Sequence, residues 1–240
     1  MAVKRKRLYR QEGVTEQMSK YKGIIFDLDG TLLNTIEDIG DSMNGVLETF
    51  NLPIYSYEEY KKKIGGGFRK LTLNSFPEKI DEETIDKALD MLYKNYDRRY
   101  LNKTRPYESI DNLLNSLVEE GIKLGVNSNK KDEYTKSLIE KFFKTIPFVK
   151  VYGERNGIPN KPDPATALEI AQLMNLNPEE VLFIGDSNTD IVTAKNAHMD
   201  SVGVLWGFRN REELCKYGAS YIVSNCEEIL YIVEGGKGTF

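Results

Sequence analysis

From residue 106 onward, short apolar runs of strand length alternate with stretches whose apolar residues recur at helical spacing. That alternation restricts the fold more than any other feature of the chain. Ile110, Leu113, Leu114, Leu117 and Val118 make one helical face, and Gly121 stands where a helix-ending glycine belongs. Leu124-Gly125-Val126 reads as a strand, Tyr134 to Phe143 as a helix, and Phe148-Val149-Lys150-Val151 as a strand. A helix over 164–175 precedes the strand Val181-Leu182-Phe183-Ile184, and a helix at 188–197 leads to a strand from Ser201 to Leu205. Tyr221-Ile222-Val223 and a helix from Glu227 close the series. Such a series links parallel strands by right-handed crossovers and covers both faces of the sheet with helices. Ile24-Ile25-Phe26 adds a buried strand ahead of it. The expected fold is α/β, a Rossmann-like parallel sheet with helices on both faces.

Residues 35–104 differ in character. Met43, Val46, Leu47 and Phe50 recur at helical spacing, and Glu82 to Tyr100 carries Ile85, Leu89, Leu92 and Tyr96 on one face. Ile64-Gly65-Gly66-Gly67-Phe68 between them reads as a flexible loop, and no strand is expected here. The segment is read as a helical cap domain inserted after the first strand. The core domain is then 20–34 with 105–234, the cap 35–104, the leader 1–19 and the tail 235–240.

The leader is basic (Lys4, Arg5, Lys6, Arg7, Arg10) but no apolar stretch follows, so it is not a secretory signal. Met18-Ser19-Lys20 reads as a natural start, and the leader is taken as disordered or appended, with no part in the chemistry. The tail Gly235-Gly236-Lys237-Gly238 is read the same way. No apolar run approaches the ~18 residues of a membrane span. A net charge of −4 with a pI near 5.4 argues against a nucleic-acid surface. Cys215 and Cys226 form no C-x-x-C pair and read as ordinary thiols of a cytoplasmic protein.

Ligands of such sheets bind beyond the carboxyl ends of the strands. The first strand delivers Asp27-Leu28-Asp29-Gly30-Thr31, the next Asn127-Ser128-Asn129-Lys130, and a later one Gly185-Asp186-Ser187 with Asp190 a helical turn on; Lys161 stands in Lys161-Pro162-Asp163-Pro164. Carboxylates gathered there repel and demand a cation, and oxygen ligands without paired His or Cys select a hard one such as Mg²⁺. A carboxylate beside that ion is placed to attack phosphorus in line. Asp29, two residues on, can protonate the leaving group and then activate water, and crowding by anions would raise its pKa. Gly30 allows a turn that points backbone amides at the phosphate, while Ser128, Asn129 and Lys161 would hold its equatorial oxygens.

In this order, Asp27-Leu28-Asp29-Gly30-Thr31, Ser128, Lys161 and Gly185-Asp186-Ser187-Asn188-Thr189-Asp190 resemble the four motifs of the haloacid dehalogenase superfamily. The resemblance runs from about 20 to 234 and includes an insert where that family places its helical cap. Within it the chain is similar to the phosphoglycolate phosphatase-like branch, with Asn34-Thr35 in place of a commoner Asp-Ser. The resemblance implies Asp27 as nucleophile, Asp29 as acid/base and Lys161 as a catalytic cation. It implies Mg²⁺ bound by Asp27, Asp186 and the Asp29 carbonyl with Asp190 in support, and phosphate held by Thr31, Ser128, Asn129 and Lys161. Dehalogenases lack the second aspartate of the first motif, so Asp29 points to phosphoryl chemistry. β-Phosphoglucomutase relatives carry a His after that motif, whereas His198, the one His here, lies far downstream.

The expected activity is hydrolysis of a small phosphate monoester, a phosphorylated metabolite such as phosphoglycolate or a sugar phosphate, by a monomer or homodimer. A pyrophosphatase, a phosphomutase and a non-catalytic phosphate-binding protein are the alternatives. Substrate choice is expected in the cap, at Gly65, Gly66, Gly67 and Arg69, where glycine permits close backbone approach and arginine meets an anion. Ser128 and Asn129 could equally cap the next helix. His198 reads as structural, and Trp206-Gly207 either lines the site or packs in the core.

Overall fold

The computed structural model describes residues 19–77 and 80–236. The basic leader before residue 19, and the tail from residue 237, lie outside the described residues. The chain begins with β1 (Gly23–Phe26) and the two-residue β2 (Leu33–Asn34). Four helices follow: α1 (Ile36–Thr49), α2 (Tyr57–Lys63), α3 (Gly67–Ser75) and α4 (Glu82–Asp97). After β3 (Arg105–Pro106) come α5 (Ile110–Glu119), β4 (Lys123–Lys131), α6 (Asp132–Phe142), β5 (Phe148–Glu154) and α7 (Ala165–Leu173). The remainder is β6 (Val181–Gly185), α8 (Asn188–Asn196), β7 (Asp200–Val204), α9 (Arg211–Tyr217), β8 (Tyr221–Val223) and α10 (Cys226–Val233).

Six strands form one sheet in the order β5-β4-β1-β6-β7-β8, and every pairing in it is parallel. Successive side chains of a strand point to opposite faces, and β1 shows the consequence. Ile24 and Phe26 join a core with Leu113, Leu117, Leu138 and Ile229 from α5, α6 and α10. Ile25 joins a second core with Ile170 of α7 and Ala194 of α8 on the other face. The sheet is therefore buried on both sides, as its continuous apolar strands require.

β1 lies in the middle, and its register sets the site. Phe26 stands opposite Val126 of β4 and Ile184 of β6. The residues that follow on all three strands, at Asp27, Asn127 and Gly185, therefore emerge along one line at the carboxyl edge.

Helices α1–α4 bury their own apolar cluster, including Met43, Leu47, Tyr60, Leu71, Leu92 and Tyr96. Sequence spacing predicts two of these helices, and the described residues form four. α2 escapes the periodicity test because Tyr60 is its only buried residue. Its start is fixed locally instead, by a reciprocal capping box between Ser56 and Glu59. The glycine-rich stretch read as a loop becomes helix from Gly67 onward, with φ of +79° at that residue.

Two junctions join the helices to the sheet domain, and both are tied down. β2 pairs antiparallel with β3. Asp38 accepts hydrogen bonds from the Lys103 and Thr104 backbone N–H groups at 3.0 and 2.8 Å and from the Thr104 hydroxyl at 2.8 Å.

Candidate active site

Asp27 continues the β1 ladder by one bond, its N–H donating to the Ile184 carbonyl at 2.8 Å. The chain then turns tightly, with the N–H groups of Leu32 and Leu33 both donating to the Leu28 carbonyl at 3.0 Å. Gly30 sits in that turn at φ +87°, and a side chain there would run into the Asp186 carboxylate. Asp186 and Ser187 follow β6 directly. Ser187 caps α8 through Asp190, whose Oδ2 accepts from the Ser187 backbone N–H at 3.0 Å and its hydroxyl at 2.6 Å. The cap thus fixes the carboxylate it uses.

Lys161 arrives from the segment between β5 and α7. Its Nζ lies 2.6 Å from Asp190 Oδ1 and 2.8 Å from Asp27 Oδ1. Carboxylate oxygens of Asp27, Asp186 and Asp190 come within 4.8 Å of one another, and all three residues are buried. With all three carboxylates ionised, one ammonium leaves two negative charges in the cluster.

Residues 24–204 match the family model described as haloacid dehalogenase-like hydrolase. A phosphoglycolate phosphatase from Psychrobacter arcticus is 31% identical over 198 residues, covering 80% of this chain and 86% of the relative. Another from Aquifex aeolicus is 32% identical over 190 residues, covering 77% and 85%. A crystal structure from Lactobacillus delbrueckii subsp. bulgaricus matches with a TM-score of 0.85 at 30% identity, over 90% of this chain and 99% of that one.

The chain belongs to the haloacid dehalogenase-like hydrolases. The electrostatics of its site follow from burial. Desolvation pushes the Asp27 carboxyl up to about 7, against the pull of Lys161 and with the help of the Asp190 charge. Asp186 is raised well above the usual carboxylate range by burial first, then by Asp190 and Asp27. Burial would pull Lys161 down, yet the charges of Asp190 and Asp27 hold it above its ordinary value. The contact between Lys161 and Asp27 Oδ1 lacks hydrogen-bonding geometry, so that buried oxygen has no hydrogen-bond donor. A buried carboxylate oxygen that faces the Lys161 ammonium within an all-oxygen set fits a hard cation.

A cavity opens over the cluster, bounded on the sheet side by Asp27, Asp29, Ser128, Lys130, Lys161 and Asp186. Helices α1 and α3 supply Ile39, Gly67, Phe68 and Leu71, the loop between α2 and α3 supplies Ile64 and Gly65, and the loop after β7 supplies Phe208 and Arg209.

Several sequence-based expectations shift here. Arg69 is not at the cavity: it lies on exposed α3 surface, paired with Glu82 and, at 2.6 Å, with Asp86. Gly66 is exposed and outside the lining, whereas Gly65 and Gly67 are in it. The Asn129 amide is spent on backbone, with Oδ1 accepting from Lys161 N–H at 2.9 Å and Nδ2 donating to the Gly65 and Lys161 carbonyls at 3.0 Å. Its side chain positions Lys161 and the Gly65 loop. Thr31 is fully buried and its hydroxyl has no hydrogen-bond partner. Trp206 packs on the core and donates Nε1–H to the Thr31 carbonyl at 3.0 Å, and exposed His198 lies outside the cavity.

Two residues that sequence reasoning passed over belong to the site. The Lys130 ammonium is 2.9 Å from Asp29 Oδ1. The Arg209 guanidinium donates to the Lys61 carbonyl and, at 2.8 Å, to that of Ile64, clasping the loop before α3. The residue before it holds a site aspartate, as Phe208 N–H donates to Asp186 Oδ2 at 2.7 Å. Neither contact leaves a local trace, because each joins residues more than 100 positions apart or closes onto backbone.

Proposed function

We propose that the protein is a Mg²⁺-dependent phosphatase that hydrolyses a small phosphate monoester through an aspartyl-phosphate on Asp27. The observation that carries this reading is the buried cluster of Asp27, Asp186 and Asp190 closed by Lys161 beneath a cavity. Asp27, Asp186 and the Asp29 carbonyl would hold the ion, with Asp190 in support. When bound, Mg²⁺ offsets the carboxylate charge and polarises the phosphoryl oxygens.

The protein's own groups do the rest. Asp27 attacks phosphorus as the bond to the leaving alcohol breaks. Asp29 gives its proton to the departing oxygen and takes one from the water that hydrolyses the acyl-phosphate. Ser128 and Lys161 hold the phosphoryl oxygens. Thr31 supports the turn beneath them, and Asn129 keeps Lys161 in place.

Helices α1–α4 act as a cap, and the leaving group meets Ile39, Ile64, Phe68, Leu71 and Phe208 with Arg209 alongside. A compact leaving alcohol belongs there, that of a small phosphorylated metabolite of the phosphoglycolate or sugar-phosphate type. A cytoplasmic setting fits two free cysteines, Cys215 and Cys226. Asp27→Asn, folded and assayed with Mg²⁺ and p-nitrophenyl phosphate, is expected to fall to background turnover; retained turnover would overturn the assignment.

A further inference from the structure

Lys130 is a buried cation that the scheme above leaves without a task. It stands near the end of β4 with a side chain 1% exposed. Its Nζ donates to both oxygens of Asp29, at 2.9 and 3.1 Å. Behind it are two rings of the helical insert, the Tyr96 centroid at 4.8 Å and the Phe68 centroid at 5.7 Å. These rings meet edge to face, 4.9 Å apart. Tyr134 packs edge-on against Tyr96 as well, at 5.0 Å.

An ammonium is costly to bury unless its charge is met, and here one carboxylate and two ring faces meet it. Lys161, the other buried lysine of the site, faces Asp27 and Asp190. Lys130 therefore serves Asp29 alone. A carboxyl group free to rotate is a poor proton donor to a fixed oxygen, and its carboxylate a poor acceptor; an ammonium that contacts both oxygens removes that freedom.

We propose that Lys130 is a positioning residue for proton transfer by Asp29, and that Phe68 and Tyr96 hold Lys130 in turn, so that the helical insert sets the acid of the sheet domain. The proposal rests on Asp29 being the acid/base. In the first step the Asp27–phosphorus bond forms, the bond from phosphorus to the leaving oxygen breaks, and the Asp29 proton moves to that oxygen. The carboxylate left behind forms against the ammonium. The Asp29 carboxylate later accepts a proton from the attacking water in the same place.

The leaving group reads this out. Nitrophenolate departs with little need of a proton, whereas an alkoxide needs one. The test compares kcat/KM for ethyl phosphate and p-nitrophenyl phosphate, with Mg²⁺, in the wild type, Lys130→Met, Lys130→Arg and Phe68→Leu. Lys130→Met is expected to lose at least roughly tenfold more on ethyl phosphate than on the aryl ester. Lys130→Arg, which keeps the charge and the ring contact, should recover part of that gap, and Phe68→Leu should open a smaller one.

Equal losses on the two esters in Lys130→Met and Phe68→Leu would overturn the proposal, as would a gap no narrower in Lys130→Arg than in Lys130→Met. So would a wild type that hydrolyses only the aryl ester. Should circular dichroism show Lys130→Met unfolded, the Phe68→Leu gap decides alone, and its absence is fatal. A wild type inert toward both esters contradicts the phosphatase reading itself, which separates the two failures.

Discussion

At the scale of single residues, the site is a balance of buried charges. Burial and mutual repulsion raise the Asp27 and Asp186 carboxyls above their ordinary value, Asp27 to about 7. A carboxyl whose folded pKa exceeds its unfolded one stabilises the fold fully below the unfolded value, and that contribution is lost as pH rises through the folded value. The chelated protein should therefore lose stability between about pH 4 and pH 7. Mg²⁺ competes with those protons, so the rise in Tm on adding it should be larger at pH 8 than at pH 5. Thermal melts with Mg²⁺ and with EDTA at both values check this; a rise that is the same at both contradicts it. Most of these residues were legible in the sequence, because four short motifs in a fixed order name Asp27, Asp29, Ser128, Lys161, Asp186 and Asp190. Lys130 and Arg209 were not, since a polar residue at a strand end and one in a loop look alike whether they face solvent or a partner across the molecule. Arg69 misled for the converse reason: a glycine-rich approach suggested a binding loop, but the helix turns the side chain outward to Glu82 and Asp86.

At the scale of elements, legibility follows burial. Strands β6 and β8 carry continuous apolar runs and fall where the sequence puts them. β4 runs on beyond Val126 through Asn127, Ser128, Asn129 and Lys130, all buried, because polar side chains at a strand end can be enclosed by a site as well as exposed to water. α9 went unread since Leu214 is its only buried residue, and β2 and β3 are too short to show a period. The junction between α1 and the segment before β3 depends on a tertiary contact that no local pattern announces. Asp38 is 1% exposed and serves three donors from Lys103 and Thr104 there. Truncating it leaves the two Thr104 donors buried and unpaired, so Asp38→Ala should cost about 2–3 kcal/mol in urea unfolding. A loss within ~0.5 kcal/mol, the size of an ordinary surface change, would contradict this account of the junction.

At the scale of the whole molecule, one arrangement explains why distant motifs meet. β1 sits between β4 and β6 in register, so residues some 100 and 160 positions apart in sequence emerge side by side at one sheet edge. The helical insert leaves the chain beside that edge and is held over it by Asn129 on Gly65 and by Arg209 on Lys61 and Ile64. The resulting chamber is acidic and basic below and largely apolar above. The central claim is that phosphorus passes through a covalent bond to Asp27. The measurement that tests it most directly is acid quench of the protein during turnover with Mg²⁺ and substrate, borohydride reduction, and peptide mass analysis. Reduction of an acyl-phosphate turns aspartate into homoserine, and the account predicts that conversion at position 27 and nowhere else; conversion at Asp29, or none in a protein that is releasing phosphate, would contradict it.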